Sequence, residues 1–154
     1  MKPTYRKKAI MVIGIIYGLA LLYVLFLRSL GATYQWTYTG YLNAMHNFVP
    51  LKSVYILLTT PVMSMQVLIR FAVNFVGNIV LFIPWGVLLP TFFNKLRLFK
   101  PFLVLTLFVL VLVETIQIFA MLGSFDVEDI LLNVSGACIG FACYKKWSKR
   151  KTDI

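Results

Sequence analysis

Acidic residues, cysteine and histidine are all scarce in this chain of 154 residues, which has five Asp and Glu, two Cys and one His. Cys138 and Cys143 fall on different faces of an apolar helical stretch, so a disulfide between them is not expected. With a lone His46 in a loop, the sequence offers no cluster with the spacing of a metal site. It also lacks a phosphate-binding glycine loop and a nucleophile motif. No metal or cofactor is therefore predicted.

Charged residues are few and are mostly of one sign. They form 13% of the chain against 60% hydrophobic residues, and the net charge is +10. A mean hydropathy of +0.86 is far above the range of soluble domains. Such a positive charge suggests nucleic acid in a soluble protein, but here the basic residues flank apolar runs. The predicted partner is therefore the membrane lipid bilayer, with no nucleic acid.

Four apolar stretches are long enough to cross a bilayer, for which a helix needs about 20 residues. They are Ala9–Leu27, Val67–Leu89, Phe102–Leu122 and Val127–Tyr144. The first is longer than a typical cleavable signal sequence and is interpreted as a retained helix. The fold class is thus all-α, a polytopic membrane protein with a bundle of about four transmembrane helices in one domain, residues 1–154.

Basic residues in the successive connections alternate between many and few, which predicts cytoplasmic N and C termini and an external first loop. This loop, Arg28–Gln66, has aromatic residues that are expected at the headgroup level: Tyr34, Trp36, Tyr38 and Tyr41. Residues 48–65 are apolar but are interrupted by Pro50, Lys52 and Pro61. They are too short and broken for a span, so we expect them to lie along the interface or to dip into it.

Polar side chains inside the predicted spans are the most informative feature, because such groups are costly in hydrocarbon unless they find partners. Each of three stretches aligns its polar residues on one face by helical spacing. At about 1.5 Å of rise per residue, several of them share one depth below the outer surface. This predicts an outward-facing polar pocket built from Arg70, Asn74, Asn78, Glu114, Gln117, Asp126, Asp129 and Asn133.

The residues of this pocket fit either a structural role or a role in chemistry. Arg70 is the expected cation for Glu114, Asp126 or Asp129, which are the candidate catalytic acids or bases. Asp126 equally fits a helix cap, and the amides equally fit interhelical hydrogen bonds. Glu114 has to be paired or protonated at its depth.

Small residues and prolines in the spans indicate how the helices pack. The glycine pairs Gly14/Gly18 and Gly136/Gly140 predict close helix contacts, because their four-residue spacing puts both glycines of a pair on one face. Pro84 is expected to loosen the second helix, and Pro90 is expected to end it.

Three linked motifs resemble the VanZ-like family over about residues 45–141, together with an earlier Asn-x-x-Pro element at Asn47–Pro50. The motifs are Asn78-Ile79-x-Leu81-Phe82-x-Pro84-x-Gly86-x-Leu88-Leu89-Pro90, Glu114-x-x-Gln117, and Phe125-Asp126-x-x-Asp129-x-x-x-Asn133-x-x-Gly136. Many members have an arginine just before the Phe-Asp pair, where this chain has Gly123 and Ser124. The resemblance implies a multi-pass cell membrane protein of a family whose founding member is associated with resistance to the glycopeptide teicoplanin.

Three functions fit these observations. The first is a non-enzymatic protein that reduces the access of lipoglycopeptide antibiotics to a lipid-linked cell-wall precursor at the outer face of the cytoplasmic membrane. The second is a membrane enzyme acting on a lipid-linked envelope substrate through the carboxylates, with Arg70 as an anion clamp. The third is a proton or ion carrier that uses an intramembrane carboxylate. The oligomeric state is left open by the sequence.

Overall fold

The structure is a computed structural model that describes residues 3–27, 37–59 and 64–152, and it is almost entirely helical. The prediction of an all-α chain is confirmed. The helices are α1 (Pro3–Leu22, continued by a π-helical segment Tyr23–Leu27), α2 (Tyr38–Ala44), α3 (Lys52–Thr59), α4 (Met65–Phe92), α5 (Phe99–Phe119) and α6 (Val127–Thr152). A 3₁₀ turn, Asn94–Arg97, joins α4 to α5, and two short strands are β1 (His46–Asn47) and β2 (Phe125–Asp126).

Four helical segments have the length and apolar composition of membrane spans, as predicted: Lys8–Leu27, Met65–Phe92, Phe99–Phe119 and Val127–Lys149. Their ends differ from the predicted ones by a few residues. Pro90 does not end α4, which runs on to Phe92. A proline removes only its own N–H, and the N–H of Phe93 still bonds to the carbonyl of Leu89 at 2.9 Å. The helix therefore gains another half turn.

The chain forms two compact units, residues 1–35 and residues 36–154. The first unit contains α1. The second contains α2 to α6 and every residue of the predicted polar pocket, so the site is described within this unit alone.

Glycines bring α4 and α6 into backbone contact. A Cβ atom added at Gly136 would lie 2.0 Å from the carbonyl oxygen of Ile79, and one at Gly140 would lie 2.0 Å from that of Ile83. The predicted close packing at these two glycines is confirmed. At Gly18, by contrast, an added Cβ would meet no described atom within 4 Å. Because Ile79 pairs with Gly136 and Ile83 with Gly140, α4 and α6 run in the same direction.

Helix α5 runs opposite to α6, as a span between two parallel spans has to do. Near one end of the pair, the rings of Phe102 and Phe141 stack with centroids 4.6 Å apart. Near the other end, Glu114 contacts Asp126. The buried Thr106 accepts a hydrogen bond from the indole N–H of Trp85 at 3.2 Å, which ties α5 to α4.

Acidic and basic residues lie at opposite ends of the bundle formed by α4, α5 and α6. The first turn of α6 carries Glu128 and Asp129. The opposite end of the unit carries the basic residues of the α4–α5 turn and of the last turns of α6: Lys95, Arg97, Lys100, Lys145, Lys146 and Lys149. By the positive-inside rule, the acidic end is the one predicted to face outside.

The segment before α4 folds onto the acidic end. Strand β1 pairs in parallel with β2, with His46 opposite Phe125 and Asn47 opposite Asp126. Tyr41, one of the aromatic residues of this loop, is fully buried, and its hydroxyl donates to the carbonyl of Gly123. Its ring is covered because α2 packs against the turn that precedes β2. Tyr38 stays half exposed, whereas Tyr34 and Trp36 lie outside the described residues.

The apolar part of the first loop also contains regular structure. Residues Lys52–Thr59 form α3, which follows a left-handed Leu51 with φ of 56°. Pro61 lies outside the described residues. Whether α3 lies along the interface or dips into the bilayer stays a prediction.

Candidate functional site

Asp129 connects α4 to α6 through two asparagines. Its Oδ1 accepts hydrogen bonds from the Nδ2 of Asn78 at 2.7 Å and from the Nδ2 of Asn74 at 3.2 Å. Asn74 and Asn78 lie one turn apart on α4, so their amides converge on a single carboxylate oxygen. The structure therefore brings these three predicted site residues together.

Asp126 caps α6 and also ties the first loop to it. Its Oδ1 accepts from the backbone N–H of Glu128 at 2.8 Å, which is the geometry of an N-cap side chain. The same oxygen accepts from the Nδ2 of Asn47 at 3.0 Å. The predicted capping role of Asp126 is thus confirmed, and the cap is shared with a loop residue.

Glu114 supports the turn before α6 from the side of α5. Its side chain is 4% exposed, and Oε2 accepts from the backbone N–H of Asp126 at 3.0 Å. An unpaired backbone N–H in an apolar surrounding would cost about 1–3 kcal/mol, so this contact holds β2 in place. A carboxylate with an N–H donor close to a helix N-terminus also benefits from the helix dipole.

Glu128 is the site residue that the sequence interpretation missed. It is the most buried carboxylate of the described chain, at 1% exposure, and its Oε2 accepts from the backbone N–H of Ser53 at 3.0 Å. Its Oε1 has no hydrogen-bond partner within the described ranges. Glu128 lies on a different face of α6 from Asp126 and Asp129, and its contact with α3 could not be read from helical spacing.

Arg70 does not take the expected place beside a carboxylate. No ion pair joins it to Glu114, Asp126 or Asp129 in the part of the chain that the structure describes, so the expectation of such a pair is wrong. The reason lies in position: the amides of Asn74 and Asn78 occupy Asp129, and Asp126 and Glu114 bond to loop and backbone groups. Arg70 instead lines a cavity beside Glu128.

The two remaining predicted site residues are Asn133, which is buried, and Gln117, which lies beside the turn before β2. Asn133 is 3% exposed, and its Oδ1 lacks a partner among the residues described. Gln117 is half buried on α5, with its Cβ 3.7 Å from the position that a Cβ of Gly123 would take. Gln117 therefore packs against the turn that precedes β2.

Four carboxylates from two helices and one turn thus gather at the N-terminus of α6, and their partners are amides and backbone N–H groups. In the described ranges, no Lys or Arg lies within ion-pair distance of any of them. Such a site can accept hydrogen bonds or protons, or hold a cationic group.

Asn47 gives a direct test of how the loop is attached. Besides donating to Asp126, its Oδ1 accepts from the N–H of Val49 at 3.3 Å. We expect Asn47→Ala to cost about 1 kcal/mol of stability and to speed amide exchange in α3. Asn47→Asp should cost more, because it places a second carboxylate against Asp126. Hydrogen exchange and thermal unfolding in detergent measure both, and equal losses for the two variants would contradict this contact.

Comparison with known proteins gives one family. The family model described as VanZ/LLP1 matches residues 14–148. No curated protein matches the chain, and no solved structure does.

Proposed function

Since this chain belongs to the VanZ/LLP1 family, we propose that it is a multi-pass protein of the cytoplasmic membrane that lowers sensitivity to teicoplanin and related lipoglycopeptides. The acidic site lies at the outer face in this proposal. There it reduces the access of the antibiotic to a lipid-linked cell-wall precursor, without covalent chemistry.

The observation that carries the proposal is the convergence of Glu114, Asp126, Glu128 and Asp129 at one end of the helices. Their contacts engage α4, α5 and the first loop. The basic residues lie at the other end, which by charge bias is the cytoplasmic one. A carboxylate-lined site at the outer end is suited to contact a cationic group of an amphiphilic ligand.

The test is expression in a susceptible host, with growth inhibition by teicoplanin compared with inhibition by vancomycin. We expect a higher inhibitory concentration for teicoplanin and little change for vancomycin, which lacks the lipid chain. Asp129→Asn should remove the effect at an unchanged amount of membrane protein. The matched control is Cys143→Ser, an exposed position on α6 away from the acidic end. Equal sensitivity of cells with and without the protein would overturn the proposal.

A second candidate is a membrane enzyme acting on a lipid-linked envelope substrate. It is favoured by one observation: Glu114 and Glu128 are buried carboxylates without a cationic partner among the described residues, a setting used for general acids and bases. In that case Glu114→Gln, which keeps the acceptor for the N–H of Asp126, should abolish function while the protein still folds. Full function in Glu114→Gln, Glu128→Gln and Asp129→Asn would eliminate the enzyme and leave a structural role for these groups.

A further inference from the structure

A cavity of about 280 Å³ lies between α3, α4 and α6, and it is lined by Glu128 of the acidic site and by Asn74, which donates to Asp129. Its walls are mostly apolar and include Leu57, Phe71, Phe75 and Leu132. Two groups of opposite charge, Arg70 and Glu128, line the same cavity. A site with apolar walls and a few polar groups has the composition of a ligand pocket.

The carboxylate oxygen of Glu128 that is unpaired within the described residues indicates which group a ligand would carry. Its side chain is 1% exposed, one carboxylate oxygen is held by the N–H of Ser53, and Oε1 has no partner in the described chain. A buried carboxylate oxygen without a donor is costly, and native structures seldom leave one so. Glu128 is among the residues that line the cavity, and because its Oε1 is itself buried, the side chain has to turn toward the open space to meet a ligand. A ligand in it would therefore present an N–H or O–H donor, and an ammonium group would also match the charge.

Arg70 indicates a second group of the ligand, one with negative charge. It is exposed and makes no ion pair with a carboxylate within the described ranges, yet it lines the cavity on the α4 side. A guanidinium near the end of a span is a common partner for phosphate, which it can bind with two parallel N–H donors. The ligand would then carry an anionic phosphate within reach of its ammonium.

The surroundings indicate a lipid in place of a soluble metabolite. Around the cavity, α3 and α4 present outward apolar residues, with Leu58 at 79%, Val73 at 63% and Ile69 at 56% exposure. In a membrane-spanning helix such residues face acyl chains. A headgroup entering the cavity could leave its chains against this surface, with Phe71 and Phe75 below the phosphate.

We propose that this cavity binds the headgroup of a phospholipid that carries a primary ammonium, with the ammonium on Glu128 and the phosphate on Arg70. A choline headgroup has the charge but no N–H donor, and a glycerol headgroup has donors but no positive charge. The site should therefore prefer ethanolamine over both. The assignment goes beyond the resistance proposal and does not depend on it, because it concerns binding by the purified protein.

The experiment is native mass spectrometry of the delipidated full chain in a neutral detergent, titrated separately with phosphatidylethanolamine, phosphatidylcholine and phosphatidylglycerol of identical acyl chains. We expect the first to bind about tenfold more tightly than the other two, as one hydrogen bond between charged groups would give. Glu128→Gln should abolish this preference, and Arg70→Gln should weaken all three phosphate-bearing lipids alike.

Neighbouring positions provide matched controls. Leu57→Trp fills the cavity and should abolish selective binding, whereas Leu58→Trp, one residue along on the exposed side, should not change it. Lys52→Gln, an exposed cation on α3 outside the cavity, is the control for Arg70→Gln. The thermal unfolding of each variant in the same detergent shows whether it is folded, and Leu57→Trp tests the cavity even if Glu128→Gln is unstable.

Two results would overturn the proposal. One is equal binding of the three lipids by the wild-type protein. The other is an energetic coupling between Arg70 and Glu128 in lipid-free protein, measured by a double-mutant cycle, because the two side chains would then pair with each other. Either result leaves the resistance experiment unaffected, so a failure of one proposal is distinguishable from a failure of the other.

Discussion

Gly136→Ala is expected to destabilise the protein strongly, although it adds only one methyl group. The added carbon would lie 2.0 Å from the carbonyl oxygen of Ile79, 2.8 Å from its carbonyl carbon and 3.0 Å from its Cα. All three are backbone atoms of α4, so no side chain can rotate away. Overpacking of this kind costs about 1–3 kcal/mol and sometimes more, and we expect the upper part of that range.

Gly136→Ala should also disturb the acidic site, because α4 and α6 together hold Asp129 and its partner Asn78. Separating α4 from α6 at Gly136 moves Asn78 away from Asp129, whose 2.7 Å hydrogen bond lies two turns closer to the N-terminus of α6. Gly136→Ala should therefore lower both the amount of folded protein and any function of the acidic end.

Gly77 provides the matched control on α4. A Cβ at Gly77 would meet no described atom within 4 Å, so Gly77→Ala adds the same methyl group in open space. Its effect should stay within about 1 kcal/mol, with any gain coming from the better helix propensity of alanine. Thermal unfolding in detergent and the yield of membrane protein compare the two variants. Similar losses for both would show that the α4–α6 backbone contact is not the cause.

The spans could be predicted from the sequence because the physical signal is local. Long apolar stretches bounded by basic residues leave few alternatives to a membrane helix, and the four predicted stretches match the helical segments. The contact of Asn74 and Asn78 with Asp129 could also be predicted from the sequence. Helical spacing put the two amides on one face, and alternating spans put α4 parallel to α6.

Contacts of the first loop could not be predicted in the same way. Asn47 bonds to Asp126 and Ser53 to Glu128 across 79 and 75 residues of sequence, and no periodicity connects such positions. The Asn47–Pro50 element of the family resemblance was the one signal that pointed to this loop. Its structural role follows from the pairing of β1 with β2, which places Asn47 opposite Asp126.

The wrong pairing of Arg70 has a related cause. Opposite charges at similar depth suggested an ion pair, but depth along the membrane normal says nothing about the direction in which a side chain points. In the structure, amides satisfy Asp129 and the loop covers Glu128, and Arg70 lines the cavity without a carboxylate partner among the described residues. Charge counting underestimated how many hydrogen-bond donors the backbone supplies at a helix N-terminus.

Asp129 should separate stability from function more clearly than any other residue of the site. Replacement by alanine removes the acceptor that Asn74 and Asn78 share, and we expect it to cost about 2–3 kcal/mol. Asp129→Asn retains an acceptor oxygen in nearly the same place. It also removes one carboxylate from a helix turn that has Asp126 one turn earlier, which relieves repulsion between like charges. Asp129→Asn should therefore be as stable as the wild-type protein.

The two asparagines should differ in their coupling to Asp129. The hydrogen bond of Asn78 is 2.7 Å long and partly buried, whereas that of Asn74 is 3.2 Å long and exposed. Double-mutant cycles with alanine should give about 1–2 kcal/mol for Asn78 and about 0.5 kcal/mol for Asn74, in line with interhelical hydrogen bonds in membranes. Unfolding in detergent supplies these energies. Equal couplings, or a larger one for Asn74, would mean that the carboxylate points elsewhere.

The combination of stability and activity then decides what the carboxylate does. If Asp129 only joins α4 to α6, Asp129→Asn keeps both the fold and the resistance phenotype, and Asp129→Ala loses both together. If its negative charge contacts a cationic ligand or takes up a proton, Asp129→Asn loses the phenotype at full stability, because an amide keeps the hydrogen bonds but not the charge. We expect the second pattern, since an amide side chain at position 129 would also accept hydrogen bonds from Asn74 and Asn78, without concentrating like charges at the start of α6.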